Sequence, residues 1–292
     1  LQIPDLKWCG INTNYFLCAV ISDNCASNSI KIESTKTNIG FSFLSTPLIF
    51  KDNNYSADFN IYIGPKEYYL LKKSFVDYNL QSAMDYGWFE SIVLILIKVL
   101  KFFYSIIPNY GVAIILLTLL VNIILYPLKA SSFKAMEGMK NLQPELEALK
   151  KKYENDKMKL QQETMELYKK HKINPLGGCL PMLLQIPIFI ALYRMLEYAI
   201  ELRGAGFLYI ADLSAKDPYY ALPLFMGLTM FIQQKLTPAP PDQQKIFMFL
   251  PIIFTVMFLQ MPAGLIIYWT VFNIISILQQ IYQSKLTKKN SN

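Results

Sequence analysis

Polar side chains set at helical intervals inside apolar runs are the residues of this chain best placed to do chemistry. In "LLTLLVNIILYPLKA" (116–130), Thr118, Asn122 and Tyr126 follow one another at intervals of four. Thr229 and Gln233 repeat that interval, and Trp269, Asn273, Ser276 and Gln280 step by 4, 3 and 4. Gln185 stands alone in another apolar run. Such spacings put each set on one helix face. An amide or hydroxyl in hydrocarbon costs free energy unless something hydrogen-bonds it. The chemistry these faces offer is therefore exchange of hydrogen bonds with each other, with water or with a guest chain. Arg194 and Glu197, at i and i+3, are placed to form an ion pair.

Covalent and metal chemistry find no support. The chain has no G-x-x-x-x-G-K-[ST] loop, no H-E-x-x-H and no G-x-S-x-G. Its single histidine, His171, lies in a charged segment and reads as a surface residue. Cys9, Cys18, Cys25 and Cys179 form no metal pattern. One disulfide among the first three, with a thiol left over, stands beside the plainer reading of four small apolar residues. The apolar runs hold no acid pair of the kind proton-driven carriers use. These residues imply a protein that is not an enzyme and needs no cofactor or metal.

The composition says what surrounds those faces. Of 292 residues 53% are hydrophobic and only 17% charged, against roughly 25% in soluble domains, and mean hydropathy is +0.27. A net charge of +7 could suggest nucleic acid. On so apolar a chain the lysines are better explained by the positive-inside rule, and no specific nucleic-acid partner is expected.

The elements that must position the faces can then be laid out. Residues 1–82 are rich in Asn, Ser, Thr and Lys. Runs such as "DFNIYIG", with Phe59, Ile61 and Ile63 on one face, predict strands with one wet face, and "KEYYLLKKSF" a short helix. Residues 83–105 predict an amphipathic helix lying along the membrane, with Trp88, Phe89, Phe102, Phe103 and Tyr104 at headgroup level; a tilted span is the alternative. Spans are expected at 106–128, 176–196 and 219–236. Residues 246–282 carry no charge and are too long for one crossing, so "MPAG" (261–264) should divide them into two. Between the first two spans, 129–172 predicts a helical hairpin. Leu142, Leu146, Leu149 and Tyr153 form its seam, and Asn155 or Asp156 caps the second arm. Residues 283–292 form a basic tail. With no signal peptide or anchor before polar, strand-like sequence at Leu1, the chain reads as an excerpt.

Lysine sets the orientation. Eleven lysines in 129–172, then Lys235 and Lys245, then Lys285, Lys288 and Lys289, fall on one side of a five-span fold, which is then cytoplasmic. The N-terminal part lies outside. Asn122, Gln185, Gln233, Ser276 and Gln280 come to mid-membrane or inward of it, whereas Arg194 and Glu197 lie near the outer surface. Together the faces suggest a wet concavity open to the cytoplasm and sealed outside. Met136 and Met139 stand at its mouth as adaptable apolar contacts or ordinary packing.

Long stretches are familiar as well as patterned. "NPLGGCLPMLLQIPIFIALY" (174–193), "DYGWF", "LYPLKA", "DLSAKDPYYALPLFMGLTMF", "QQKIFMFLPIIFTVMF" and "PAGLIIYW" resemble, in order from about Asp85 to Tyr282, the YidC/Oxa/Alb family of membrane protein insertases. The resemblance implies a mainly α, polytopic fold. It has a five-span core, a cytosolic hairpin after the first core span, an interfacial helix before it, and part of an extracytoplasmic β-rich domain. It implies the bacterial inner membrane, with the C-terminus in the cytoplasm. It also implies clients that are newly made membrane proteins, the Sec translocon and the ribosome as partners, and contact with membrane lipids. By motif match Thr118, Asn122, Tyr126, Gln185, Tyr268 and Trp269 fall on groove positions. The family usually carries an arginine where this chain has Asn122, so the fixed charge proposed to attract acidic client tails is missing there. The tail after Tyr282 is too short for a long basic ribosome contact.

The expected function is insertion of client helices through that groove, alone or with the translocon. A structural scaffold for membrane complexes, whose amides only join helices, is the alternative. A solute transporter would require an internal repeat and a coupling acid in the spans, and neither is seen.

Overall fold

The structure, a computed structural model, describes residues 7–22, 27–34, 39–45, 59–154, 156–171, 180–237 and 241–290. The chain divides into two units: residues up to Asp85 with Tyr198–Ile200, and the remainder from Tyr86.

In the first unit β1 (Trp8–Asn12), β2 (Phe16–Ser22) and β5 (Phe59–Pro65) form an antiparallel sheet in the order β1-β2-β5. A second antiparallel pair joins β3 (Ser27–Ser34) and β4 (Ile39–Ser45). In the central strand Leu17, Ala19 and Ile21 alternate into the core. Register then places Ala19 opposite Tyr62 and Ile21 opposite Asn60, and directly opposed residues share a face. The even-numbered residues of β5 are thus on the core side. Ile61 and Ile63, 65% and 77% exposed, point the other way with Phe59. The strand is where the alternation predicts it, but with its faces exchanged. The helix α1 (Tyr68–Ser74) follows as expected. Cys9 and Cys18 are free and pair in register with Val20 and Ile11; Cys25 lies outside the described residues.

The second unit is helical. After short turns, α2 (Glu90–Ile106) buries Val93, Leu96 and Leu100 and exposes Ile92, Ile95, Phe102 and Ile106. Pro108 separates it from α3 (Tyr110–Asn141), whose first turn is capped by Asn109 Oδ1 accepting from the Val112 N–H at 3.1 Å. Here the structure corrects a boundary. The helix does not stop at Leu128 but runs through Pro127 as one 32-residue rod, about 48 Å long. Span and first hairpin arm are therefore continuous. The hairpin closes between α4 (Gln143–Lys152) and α5 (Lys157–Lys170), where Leu142, Leu146 and Tyr168 are buried together and Met139 and Leu167 pack against them. Asp156 caps α5, its Oδ1 accepting from the Lys159 N–H at 3.0 Å. Met136 is buried and Met139 is partly buried against the hairpin cluster.

Four more helices follow: α6 (Leu180–Tyr198), α7 (Ala221–Leu236), α8 (Pro241–Phe258) and α9 (Ala263–Asn290). The break falls at "MPAG" as expected. There the backbone N–H groups of Ala263 and Gly264 donate to the carbonyls of Ala215 and Leu213 at 2.8 and 2.9 Å. Helix α9 continues to Asn290, into the segment expected as a basic tail. Among the described residues two segments are long and apolar enough to cross a membrane, Tyr110–Met139 and Ala263–Lys285. Helices α3 and α7 both pack against α9, and α8 packs on α7.

Candidate functional site: polar seams on one helix

Helix α9 is the hub of the polar residues. Its stripe reads as one face in sequence, yet the structure divides it between two neighbours. Ser276 and Gln283, seven apart, turn to α3; Asn273 and Gln280, also seven apart, turn to α7. Two turns of helix separate each pair, which is what keeps each on its own side.

On the α3 side Thr118 and Asn122 are fully buried. Thr118 Oγ1 donates to the Ile114 carbonyl at 2.7 Å, and Asn122 Nδ2 donates to the Thr118 carbonyl at 2.8 Å. Both donors are thus satisfied within their own helix. The remaining acceptor, Asn122 Oδ1, receives a hydrogen bond from Lys129 Nζ at 2.6 Å. The same ammonium donates to Ser276 Oγ at 3.1 Å and lies 3.9 Å from the centre of the Phe272 ring. One turn before Lys129, Tyr126 accepts from Gln283 Nε2 at 2.8 Å.

Lys129 is the residue that sequence reasoning missed. It falls among the eleven lysines of 129–172, which as a group read as a solvated hairpin. Two signals could have found it. It stands seven residues after Asn122, hence on the same face, and helical side chains lean toward the N-terminus. A lysine following the apolar run therefore reaches back into it. Its ammonium is buried, and among the described residues no carboxylate meets it. Lys129 thus brings an ammonium group to Asn122 from two turns further along α3.

The α7 side is neutral. Asn273 Nδ2 donates to Thr229 Oγ1 at 3.2 Å, and that hydroxyl donates to the Met226 carbonyl at 2.7 Å. Gln280 Nε2 reaches Thr237 Oγ1 at 3.5 Å, while its buried Oε1 has no partner among the described residues. Gln233 contributes its backbone carbonyl, which accepts from Thr237 Oγ1 at 2.9 Å.

Toward the start of α9 the stripe meets α6 and α8. Gln185 Nε2 donates to the hydroxyl of the fully buried Tyr268 at 2.9 Å. Trp269 sits among Phe189, Phe254 and Phe258, with ring centres 5.0 to 5.9 Å away. Its indole N–H is buried without a partner among the described residues. Arg194 and Glu197 pair at 3.3 Å, as their spacing predicts, and none of their recorded bonds joins them to these clusters. Most of the amides thus join helices, and the arrangement supplies one buried cation and several hydrogen bonds available for exchange. Among the described residues no group of His, Cys, Asp and Glu could hold a metal ion.

Comparison with known proteins gives the following. Residues 102–290 match the family model described as the 60Kd inner membrane protein, and residues 3–99 match that of the YidC periplasmic domain. Curated proteins called membrane protein insertase YidC are similar throughout. That of Syntrophus aciditrophicus is 46% identical over 97% of this chain and 53% of its own length. That of Geotalea uraniireducens is 44% identical over 96% and 54%. The chain thus spans about half the length of these relatives. A solved structure of an active YidC insertase with its first transmembrane domain resolved superposes with a TM-score of 0.59. At 24% identity, over 95% of this chain and 64% of that one, it bears on the fold alone.

Proposed function

The chain belongs to the 60Kd inner membrane protein family, and we infer that it works as an insertase that moves client helices into the bilayer along the polar seams of α9. The observation that carries this reading is Lys129, a buried cation with no carboxylate beside it among the described residues. The names of its relatives support the same reading. The seams' polar residues, Thr118, Asn122, Tyr126, Gln185, Thr229, Gln233, Tyr268, Trp269, Asn273, Ser276 and Gln280, serve as successive hydrogen-bond partners for a client's polar segment.

The mechanism follows from free energies. Each unsatisfied backbone group of a client's polar segment costs several kcal/mol in hydrocarbon. Interhelical side-chain hydrogen bonds in membranes average only about 0.6 kcal/mol, so the seam can trade its own bonds for a client's at small cost. Lys129 adds Coulomb attraction for a carboxylate, strengthened by the low dielectric around it. The client's apolar helix meanwhile leaves the seam for lipid, and burial of its apolar surface supplies the driving free energy. Five spans, α2 along the interface, the α4–α5 hairpin in the cytoplasm and the N-terminal unit outside make up the proposed topology. Newly made membrane proteins are the clients, with the Sec translocon as an expected partner and ribosome contact through the hairpin.

The test is insertion of a short client by the purified chain in liposomes with no other protein. A client protected from external protease supports the reading. No insertion above protein-free liposomes leaves the scaffold alternative.

A further inference from the structure

One loop displays an apolar side chain that no other described residue covers. Phe207 and Ile210 exchange backbone hydrogen bonds of 2.8 and 2.9 Å across the two residues Leu208 and Tyr209. Leu208 has φ of +52°, and Tyr209 is not left-handed. A tight turn with positive φ only at its first central residue favours glycine there. Leucine strains it, because its Cβ crowds the following carbonyl. Packing would ordinarily offset such strain, yet Leu208 is 84% exposed.

The turn is well supported. A Cβ on Gly111 would overlap the Phe207 ring, so the absence of a side chain at 111 is what lets Phe207 dock. Ile210 and Leu213 are buried. Tyr209 donates its hydroxyl proton to Asp217 Oδ2 at 2.8 Å, and that carboxylate also accepts from the N–H groups of Tyr219 and Leu222 at 3.0 and 2.7 Å. A fixed base therefore holds a strained leucine outward.

Gly111 also sets the level. It lies in the first turn of α3, so the Leu208 tip stands at the end of the bundle where that apolar rod begins. Phe102, Ile106 and Ile107, just before α3, are exposed there too. So is Tyr219, just before α7, whose ring centre is 6.0 Å from that of Tyr209. Aromatic rings with a polar tip suit the boundary between headgroups and hydrocarbon.

We propose that the 207–210 turn is a membrane-surface anchor. Leu208 enters the lipid at the end of the bundle where α3 starts, and Tyr209 and Tyr219 lie at headgroup level beside it. Phospholipid is the occupant because the patch is continuous with helix faces that a membrane protein already presents to lipid. Client insertion plays no part in this inference.

Nitroxide labels test it on the full chain in phosphatidylethanolamine–phosphatidylglycerol liposomes, with the four natural cysteines replaced by serine. Labels are placed one at a time by Leu208→Cys, Tyr219→Cys and, as an exposed reference in the same loop, Lys216→Cys. Expected is greater collision with oxygen than with a water-soluble nickel chelate at 208, near equality at 219, and the reverse order at 216. A label at 208 that meets the chelate as readily as at 216 overturns the proposal, since the turn is then in water. A label at 208 shielded from both reagents also overturns it, since protein then covers the turn.

Discussion

The two seams of α9 are built from similar residues and differ in one charge. Toward α7, Thr229 and Asn273 are joined by a neutral hydrogen bond, the kind of contact that holds membrane helices together. Toward α3, Asn122 and Ser276 are joined through the ammonium of Lys129 rather than to each other. A neutral seam is complete once its donors and acceptors match. A seam closed by a cation that meets no carboxylate among the described residues also carries a charge, and on the proposed reading that charge is what an acidic client tail would meet.

The largest effect on client insertion expected from breaking this contrast is that of Lys129→Met. Insertion of clients with acidic tails should fall about tenfold, the equivalent of about 1.4 kcal/mol, measured by protease protection in liposomes. Stability in detergent should stay near the parent's, because removing a buried charge offsets the loss of its bonds. Equal insertion by the variant would reduce the α3 seam to the status of the α7 seam.

Next is Asn122→Leu. It leaves the ammonium in place without its closest acceptor, which should cost roughly 1–3 kcal/mol of stability. That loss should largely disappear in the Asn122→Leu/Lys129→Met double variant. The checkable quantity is a coupling energy of at least about 0.5 kcal/mol in a double-mutant cycle, and additive losses would mean that the 2.6 Å contact carries no energy. On the neutral seam, Asn273→Leu should cost only about 0.6 kcal/mol and leave the preference for acidic over neutral tails unchanged. A shift in that preference would make the two seams equivalent.

The smallest effect lies away from both seams. Burial alone would raise the Asp212 carboxyl, but hydrogen bonds from the Ser214 hydroxyl and N–H, and from the Gly204 and Ala215 backbone, outweigh it and hold Asp212 below the usual carboxylate range. A depressed folded-state pKa means that the unfolded loop binds protons more readily. Its contribution is therefore present at neutral pH and lost as acid carries the loop below that range. Hydrogen exchange of the 203–217 backbone should show this loosening in the parent and no pH dependence of it in Asp212→Asn.

Much of the helical unit was legible before the structure. The apolar runs, the "MPAG" break and the Asp156 cap are all local signals, and helices are found over the described part of each run, with the break and the cap where those signals put them. The ends were harder to read. Pro127 and the lysines after Leu128 look like the close of a span, but neither stops the helix, which runs on to Asn141. In the sheet, the alternation of β5 specified a strand and left its faces open. Register with Leu17, Ala19 and Ile21 decided which side turned inward.

The polar residues divide in the same way. Their types, spacing and membership of one helix face follow from the sequence, because a period near 3.6 and a uniform rise are properties of the backbone. Which neighbour each one meets does not follow, since α9 is touched by several helices whose order around it is a matter of packing. The split of Asn273 and Gln280 from Ser276 and Gln283 belongs to that second kind, as does the Lys129 ammonium turned back toward Asn122. In sequence Lys129 is one lysine among eleven, at the edge of a charged segment. Only the approach of α9, bringing Ser276 and the Phe272 ring to it, made it the buried charge of the seam.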